Sequence, residues 1–309
     1  MATKPILAAL DVAGVQRGRF TDSIVLADYW ALTKPEVNFL IAIATAAGLC
    51  LGLPAALAHF PWILLLHTLL GTVLVASGAA SLNQLIELRF DAQMRRTARR
   101  PLASGRIQPS HALWFGISMS FLGVAHLVLF TNLLASLLAA FTLLSYLFLY
   151  TPLKRITPLC TLIGAVPGAA PPLIGWAAAR GRLDSEAWML FAIVFLWQFP
   201  HFMAIAWMYR EDYARAGYLV LPLGESRNRF VTWQTLVASV ALLAVGIIPT
   251  IATVSGVVYS GAAFILGAVF LYYGTRFAFR RSNVAARQLL VASIVYLPLV
   301  FALIMLNKK

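Results

Sequence analysis

The chain has 309 residues, of which 61% are hydrophobic and 11% charged, and its mean hydropathy is +0.83. A soluble globular domain carries about 45–50% apolar and about 25% charged residues. The composition therefore excludes a water-soluble enzyme, a disordered protein and a disulfide scaffold. Two cysteines, Cys50 and Cys160, lie far apart in apolar segments, so they predict neither a disulfide framework nor a metal site.

The N-terminal segment, residues 1–35, precedes the first apolar run, and we expect it to be cytoplasmic. It lacks the charged start, apolar block and small-residue cleavage site of a signal peptide. Its acidic residues, Asp11, Asp22 and Asp28, argue against a mitochondrial transit peptide. Residues 36–309 are predicted to form a single transmembrane domain.

Nine apolar segments then follow, each about 17–25 residues long, which is enough to cross about 30 Å of hydrocarbon as a helix. An open chain satisfies its backbone hydrogen bonds inside a bilayer only as helices. The sequence therefore predicts an all-α polytopic membrane protein. The predicted spans lie near 37–57, 62–85, 111–130, 134–151, 158–178, 188–208, 231–252, 259–275 and 288–306.

Basic residues indicate which side of the membrane each loop faces, because Lys and Arg collect in cytoplasmic loops. Nine spans place 20 of the 24 basic residues on the N-terminal side. We therefore expect a cytoplasmic N-terminus and an outside C-terminus, in a bacterial inner membrane rather than a mitochondrial one. This topology also accounts for the net charge of +13 without nucleic-acid binding. The four basic residues on the opposite side are Arg180, Arg182, Lys308 and Lys309.

Three oxygen-bearing side chains end the second predicted span. Asn83, Glu87 and Asp91 are spaced by four and so share one helix face. Mg²⁺ prefers oxygen ligands and binds through one or two carboxylates plus substrate phosphates, so this stripe suits a phosphorylated ligand. A straight helix separates the two ends by roughly 12 Å, so either two ions bind or the helix unwinds. The alternative is a polar helix end whose acids balance nearby arginines.

An arginine-rich loop, residues 94–102, follows this stripe. Arginine binds phosphate oxygens through two parallel hydrogen bonds and stays charged. Taken alone, the loop equally suits a topology determinant or a site for anionic lipid. Together with the preceding acids, it favours a diphosphate site that includes Arg96 and Arg100.

The fourth and fifth predicted spans carry two further signals. Tyr150, Lys154 and Arg155 close the fourth span on the same side and are candidate diphosphate ligands, although a charged hairpin fits equally well. The fifth contains a Gly- and Pro-rich stretch over 164–176. Such a stretch predicts either a kinked helix that lines a cavity or close helix packing through small residues.

A second acidic pair, Glu211 and Asp212, follows the sixth predicted span and suits a second Mg²⁺. The preceding segment contains His201, for which a substrate contact and an ordinary interhelical hydrogen bond are equally expected. The other membrane histidines, His67 and His126, are expected to bond to neighbouring helices. Further candidates near this pair are Trp207 and Tyr213 for substrate and Arg210 for diphosphate.

These motifs together resemble those of the protohaem IX farnesyltransferase (haem O synthase) family, a branch of the UbiA-type intramembrane prenyltransferases. The first signature runs from Asn83 through Glu87 and Asp91 into an Arg-Thr-x-x-Arg-Pro-Leu segment at 96–102. Later signatures lie at 150–157, 171–176 and 200–217, and the resemblance extends from about residue 28 to the C-terminus.

The resemblance implies a nine-helix bundle around a central cavity, with Mg²⁺ as cofactor. It further implies transfer of farnesyl from farnesyl diphosphate to a vinyl group of haem B, with water adding to give haem O. The implied partners are membrane lipid and a haem A synthase or oxidase assembly proteins. Two departures bear on the metal: many members carry aspartate where this chain has Arg89, and some carry it at Glu87. The number of Mg²⁺ ions, one or two, therefore stays open.

Two alternatives have different consequences. A UbiA-type enzyme with an aromatic acceptor such as 4-hydroxybenzoate would use the same diphosphate site. A polytopic transporter of an anionic amphipathic substrate would use the same basic mouth and broken helix. Transporters typically contain internal repeats with sites near the bilayer midplane. The polar groups here cluster instead at one face, which favours an enzyme.

Overall fold

The computed structural model describes residues 22–54, 59–251 and 257–308, and over these residues it consists of helices joined by loops, the longest of which spans residues 92–108. Sequence predictions that concern Lys4, Asp11, Arg17, Arg19 and Lys309 lie outside the described residues. The helices are α1 (Asp22–Leu32), α2 (Pro35–Gly52), α3 (Trp62–Ile86), α4 (Leu88–Asp91), α5 (Pro109–Phe130), α6 (Leu133–Leu144), α7 (Thr151–Leu153), α8 (Cys160–Gly168), α9 (Pro171–Arg180), α10 (Ser185–Met208), α11 (Arg210–Arg215), α12 (Ser226–Ile251), α13 (Val257–Arg280) and α14 (Asn283–Leu306).

Within the described ranges, nine stretches are long and apolar enough to cross a membrane, which confirms the predicted number. Two of them combine short helices: Leu133–Leu153 contains α6, a π-helical turn (Ser145–Tyr150) and α7, and Cys160–Arg180 contains α8 and α9. Several helices extend one or two turns beyond the predicted span. The eighth, for example, continues to Arg280 rather than ending near residue 275, because charged residues prolong a helix outside hydrocarbon without cost.

The second span stops being regular where its acidic residues begin. Helix α3 ends at Ile86, Glu87 adopts φ −93° and ψ 3°, and the short helix α4 then continues to Asp91. The sequence left open whether two ions bind along a straight helix or the helix unwinds. The structure shows an interrupted helix, and the interruption falls between the first and last oxygen-bearing residues.

The fifth span confirms both interpretations of its Gly- and Pro-rich stretch. Helix α8 ends at Gly168 and α9 begins at Pro171, so the span is broken, and both of these residues line a central cavity. Helix α9 also packs tightly on α2. A Cβ atom added at Gly175 would lie 1.9 Å from the Thr45 carbonyl oxygen, so only glycine permits this approach.

A smaller sequence prediction is also confirmed. His67 of α3 and His126 of α5 share a hydrogen bond of 3.0 Å between Nδ1 and Nε2, an interhelical contact as expected. Cys50 and Cys160 are free thiols, of which Cys160 is buried.

Candidate active site

The ends of α3, α7 and α11 meet on one side of the bundle, which we call the site side. The backbone N–H of Arg96 donates to Asp212 Oδ2 at 3.2 Å, and the N–H of Leu219 donates to the Lys154 carbonyl at 2.7 Å. These two bonds connect segments more than 60 residues apart in sequence. The acidic groups that follow the second and sixth spans therefore lie around one opening, which we call the vestibule and which is bordered by Asn83, Glu87, Asp91 and Asp212.

Asn83 is almost fully buried and bonds to two residues that line the cavity. Its side-chain oxygen accepts hydrogen bonds from Lys34 Nζ at 3.2 Å and from the Tyr146 hydroxyl at 3.3 Å. Its amide nitrogen donates to Thr151 Oγ1 at 3.1 Å. The amide is thus held in one orientation by three partners, Lys34 from the start of the first span and two residues from the end of the fourth.

Glu87 is buried and pairs with Lys154, whose Nζ lies 2.8 Å from Oε1. Burial alone would raise the pKa of this carboxyl, but Lys154, helped by the Lys34 and Arg100 charges, reverses the effect of burial and holds the pKa below its usual value. Burial likewise opposes the charge on Lys154, and the Glu87 carboxylate reverses this and raises the pKa of Lys154 well above its usual value. Both groups are therefore ionised at neutral pH.

Asp91 is also buried, and Arg100 Nη1 lies 2.6 Å from its Oδ2 atom. Its second oxygen, Oδ1, has no hydrogen-bond partner among the described residues. Burial raises the pKa of Asp91 above its usual value, although the Arg100 guanidinium acts in the opposite direction. A buried carboxylate oxygen without a partner is costly, and it marks a place where a further ligand fits.

Lys34 is a site residue that sequence reasoning missed, since it was counted only as a topology charge. It joins α1 to α2 with a left-handed backbone (φ 53°), which is uncommon for a residue other than glycine. Burial, helped by the nearby Arg100 and Lys154 charges, lowers the pKa of Lys34 to about 7. The strained turn directs its ammonium toward Asn83, and nothing in the local sequence predicts this contact.

The remaining predicted cations lie over aromatic rings. The guanidinium carbon of Arg96 is 4.9 Å from the centre of the Tyr209 ring, and that of Arg155 is 4.3 Å from the centre of Phe90. Lys154 Nζ lies 4.6 Å from the centre of the Tyr150 ring. Such contacts hold a cation without neutralising it. Arg96 and Arg155 therefore remain available to an anion at the vestibule, whereas Lys154 is also paired with Glu87.

The second acidic pair is divided by the structure. Asp212 is buried and accepts hydrogen bonds from the Arg96 backbone and from Arg215 Nη1, the latter at 3.1 Å. The Glu211 side chain is 80% exposed, and its ion pair with Arg210 is 3.8 Å long. Arg210 itself bonds to the Trp207 carbonyl and to Asn283 at the start of α14. The structure therefore brings Asp212 to the vestibule but neither Glu211 nor Arg210.

A cavity of about 380 Å³ extends from Lys34 into the bundle. Its volume lies within the range of about 300–1,000 Å³ typical of ligand pockets. Tyr146, Tyr150 and His201 line it, and apolar side chains form most of the remaining wall. His201 bonds through Nδ1 to Ser293 Oγ at 2.8 Å and stacks on Trp197. The other predicted substrate contacts, Trp207 and Tyr213, do not line this cavity.

The vestibule fits Mg²⁺ by the chemistry of its donors. Asn83, Glu87 and Asp91 supply oxygen atoms only, and Asp91 Oδ1 has a free acceptor position. No three His, Cys, Asp or Glu side chains in the described part of the chain gather closely enough to form a complete metal cage. An ion held by few protein ligands retains positions for phosphate oxygens and water, as is usual for Mg²⁺.

Comparison with known proteins identifies the family. Residues 39–303 match the UbiA prenyltransferase family. The chain belongs to this family. A protohaem IX farnesyltransferase from Solibacter usitatus is 49% identical over 91% of this chain and 98% of its own length. One from Koribacter versatilis is 43% identical over 92% of this chain and 94% of its own length. The chain is therefore a prenyltransferase and a multi-pass membrane protein of the protohaem IX farnesyltransferase group.

Solved structures confirm the fold. A digeranylgeranylglyceryl phosphate synthase superposes with a TM-score of 0.72 at 18% identity, covering 91% of this chain and 98% of that protein. The UbiA homologue from Aeropyrum pernix gives 0.69 at 20% identity, covering 88% and 97%. A UbiA homologue from Archaeoglobus fulgidus, solved with GPP and Mg²⁺, gives 0.59 at 14% identity, covering 90% and 99%. At these identities the likeness concerns the fold.

Proposed function

We propose that this enzyme transfers the farnesyl group of farnesyl diphosphate to a vinyl group of haem B and that water then adds to give haem O. The product would serve assembly of haem–copper oxidases. The observation that carries the proposal is a buried cluster of oxygen ligands and cations at the mouth of an apolar cavity. The relatives named protohaem IX farnesyltransferase support this donor and acceptor.

The diphosphate head would bind at the vestibule. Asn83, Glu87 and Asp91 would hold Mg²⁺, with the buried Asp212 as the candidate for a second ion. Mg²⁺, when bound, supplies Lewis-acid stabilisation of the leaving diphosphate. The neighbouring cations would bind the remaining phosphate oxygens through charge-assisted hydrogen bonds. We assign this role to Arg96, Arg100, Lys154 and Arg155, with Tyr150 at the cavity side.

The farnesyl chain would occupy the cavity. The break between α8 and α9 gives this cavity part of its wall, and the lining side chains are mostly apolar. Such surroundings exclude bulk water from the reacting carbon. When the C–O bond breaks, its electron pair leaves with the diphosphate, and the vinyl group supplies the electrons of the new C–C bond. Water then adds to the resulting cation beside the macrocycle and releases a proton.

The acceptor would approach the same cavity from its aromatic side. His201 lines that wall and is oriented by its hydrogen bond to Ser293. We assign His201 a contact with haem. Trp207 and Tyr213 keep their assignment as acceptor contacts only if haem extends beyond the described cavity, since both lie outside its wall.

Orientation in the membrane follows from the charge distribution. We propose that the site side faces the cytoplasm, with the C-terminus outside, in the inner membrane of a bacterium. The basic residues near the site then serve both topology and diphosphate binding.

The deciding experiment supplies membranes containing the enzyme with haem B, farnesyl diphosphate and Mg²⁺, and detects haem O by mass spectrometry. A parallel reaction replaces haem B with 4-hydroxybenzoate. Formation of haem O, and none of the prenylated benzoate, supports the proposal. Prenylation of the benzoate alone would assign the chain a different acceptor. Omission of Mg²⁺ should stop product formation in either case.

A further inference from the structure

Each of the three predicted metal ligands at the end of α3 is paired with a cation from another part of the chain. Lys34 Nζ lies 3.2 Å from the Asn83 oxygen, and Lys154 Nζ lies 2.8 Å from Glu87 Oε1. Arg100 Nη1 lies 2.6 Å from Asp91 Oδ2. The pairing is one cation to one ligand, and the cations come from three separate segments.

This arrangement opposes binding of a metal ion by itself. An ion that coordinates an oxygen already bonded to an ammonium or guanidinium group lies a few ångströms from that positive charge, and the two repel. Burial strengthens the repulsion because little water screens it. The same three cations carry the charge and the donors that a diphosphate needs. The ligand oxygens and the diphosphate therefore compete for one set of cations.

The charge balance indicates what resolves this competition. When Lys34 is protonated, three cations and two carboxylates leave the cluster one positive charge in excess. A diphosphate ester carries about three negative charges at neutral pH, more than a phosphate monoester. Together with one Mg²⁺ it has about one negative charge, which matches the excess. Either ion alone leaves the buried cluster with a larger net charge.

We propose that Lys34, Lys154 and Arg100 are exchangeable internal counter-ions, which neutralise the metal ligands in the ligand-free enzyme and turn onto diphosphate oxygens when Mg²⁺ and diphosphate bind together. This inference rests on the proposed diphosphate site, and it adds Lys34 to the residues that bind the head group. Lys34 is well placed for the exchange, because it lines the cavity mouth as well as contacting Asn83. Its flexible stem lets the ammonium move while the backbone stays fixed.

The consequence is that metal and diphosphate bind cooperatively, with little affinity for either alone. Removing one paired cation should then have effects of opposite sign on the two ligands. The affinity for metal alone rises because the competing charge is gone. The affinity for diphosphate alone falls because a donor is lost. A residue with only a structural role would move both affinities in the same direction.

The test measures two binding constants on the purified full-length protein. The first is the binding constant of Mn²⁺ alone, which replaces Mg²⁺ and is detected by electron paramagnetic resonance. The second is the binding constant of inorganic pyrophosphate in the presence of a chelator, measured by calorimetry. K34M should bind Mn²⁺ about tenfold more tightly than the wild type and pyrophosphate about tenfold more weakly, a typical coupling. K34M removes one of three hydrogen bonds made by the neutral Asn83 side chain, so we expect it to fold normally. K154M, like K34M, should bind Mn²⁺ more tightly and pyrophosphate more weakly than the wild type.

The matched control is R155M, which removes a cation one position after Lys154. The Arg155 guanidinium lies over the Phe90 ring rather than on a carboxylate. Its Mn²⁺ affinity should therefore stay close to the wild-type value. If K34M binds Mn²⁺ no more tightly than R155M does, the cations do not compete with the metal and the inference is wrong.

This outcome is separate from the test of the proposed function, because no haem is used. Opposite shifts in K34M, combined with no haem O formation by the wild type, would leave the inference standing and change the acceptor. Haem O formation by the wild type, without opposite shifts, would overturn only the inference.

Discussion

Burial distinguishes Glu87, Asp91 and Asp212 from the more exposed acids of the described chain, and Asp28, which is also buried, is taken up by its ion pair with Arg106. Asp91 is enclosed, pairs with Arg100 through one oxygen, and has its other oxygen free for a ligand. Asp184, on the opposite side, is partly exposed and pairs with an exposed Arg182. Of these two acids, we propose that only Asp91 acts on a buried ligand.

We expect Asp91→Asn to reduce the rate of haem O formation by about 10²–10³-fold, a loss typical of removing one group that stabilises developing charge. The amide has the same shape and still accepts from Arg100, so the folded fraction should hold. The rate per folded protein, with folding followed by thermal melting, provides the measurement. Asp184→Asn is the control and should retain full activity. Equal rates in both variants would show that Asp91 is not part of the active site.

The adjacent acids Glu211 and Asp212 give a second prediction at this scale. Asp212 is buried and bonded to the Arg96 backbone, whereas Glu211 is largely exposed. Asp212→Asn should therefore lower activity at least tenfold, by disturbing the loop that carries Arg96 and by removing a ligand charge. Glu211→Gln should change activity by about twofold or less, as for a surface substitution. Steady-state rates at saturating Mg²⁺ test both variants. A larger loss of activity in Glu211→Gln would show that both acids act together, as the sequence predicted.

At the scale of elements, two interrupted spans shape the site. The break at Glu87 lets residues on both sides of it face one vestibule, and the break between α8 and α9 opens the cavity wall. Breaks at membrane depth are tolerated because protein surrounds them. The close contact between α9 and α2 holds the second break in place.

Gly175→Ala tests this contact. The added methyl group would overlap the Thr45 carbonyl of α2, so the helices must separate. We expect a loss of about 1–3 kcal/mol in the free energy of unfolding, as for overpacking in a core. Gly261→Ala is a suitable control because an added Cβ there meets nothing within 4 Å. Melting temperatures in detergent, followed by tryptophan fluorescence, should fall for the first variant and not for the second.

At the scale of the whole molecule, the two ends of the bundle use their charges differently. On the site side, cations surround the predicted head-group site. On the other side, Lys308 donates to the Cys50 and Leu53 carbonyls, and Arg180 donates to the Gly52 carbonyl, so both cap the end of α2. Burial lowers the pKa of Lys308 below its usual value. These few far-side charges have a structural use and do not contradict the proposed orientation.

The orientation is tested by cysteine labelling in intact cells, in a Cys50→Ser background. Ser104→Cys lies on the site side and Arg182→Cys on the other, both at exposed positions. An impermeant maleimide should label Arg182→Cys in intact cells and Ser104→Cys only after permeabilisation, because cytoplasmic loops carry the basic excess. The reverse pattern would place the site side outside.

The sequence predicted the helical class and the number of spans, because both depend on local hydropathy, and a kinked fifth span was one of the two interpretations of its Gly- and Pro-rich stretch. It also grouped Asn83, Glu87 and Asp91 by helical spacing. It did not predict which of two adjacent acids, Glu211 or Asp212, would be buried, because one step along a helix rotates the side chain by about 100°. Nor did it predict that Trp207 and Tyr213 would lie outside the cavity wall.

What the sequence determined by itself is where the chain crosses the bilayer and which residue types end each crossing, since hydrocarbon imposes the same demand on every segment separately. Only the tertiary structure decided which cation meets which oxygen. Lys34 contacts Asn83 and Lys154 contacts Glu87 across 49 and 67 residues, respectively. Such pairs depend on how whole helices pack, and helix packing is a property of many small contacts that no single motif records.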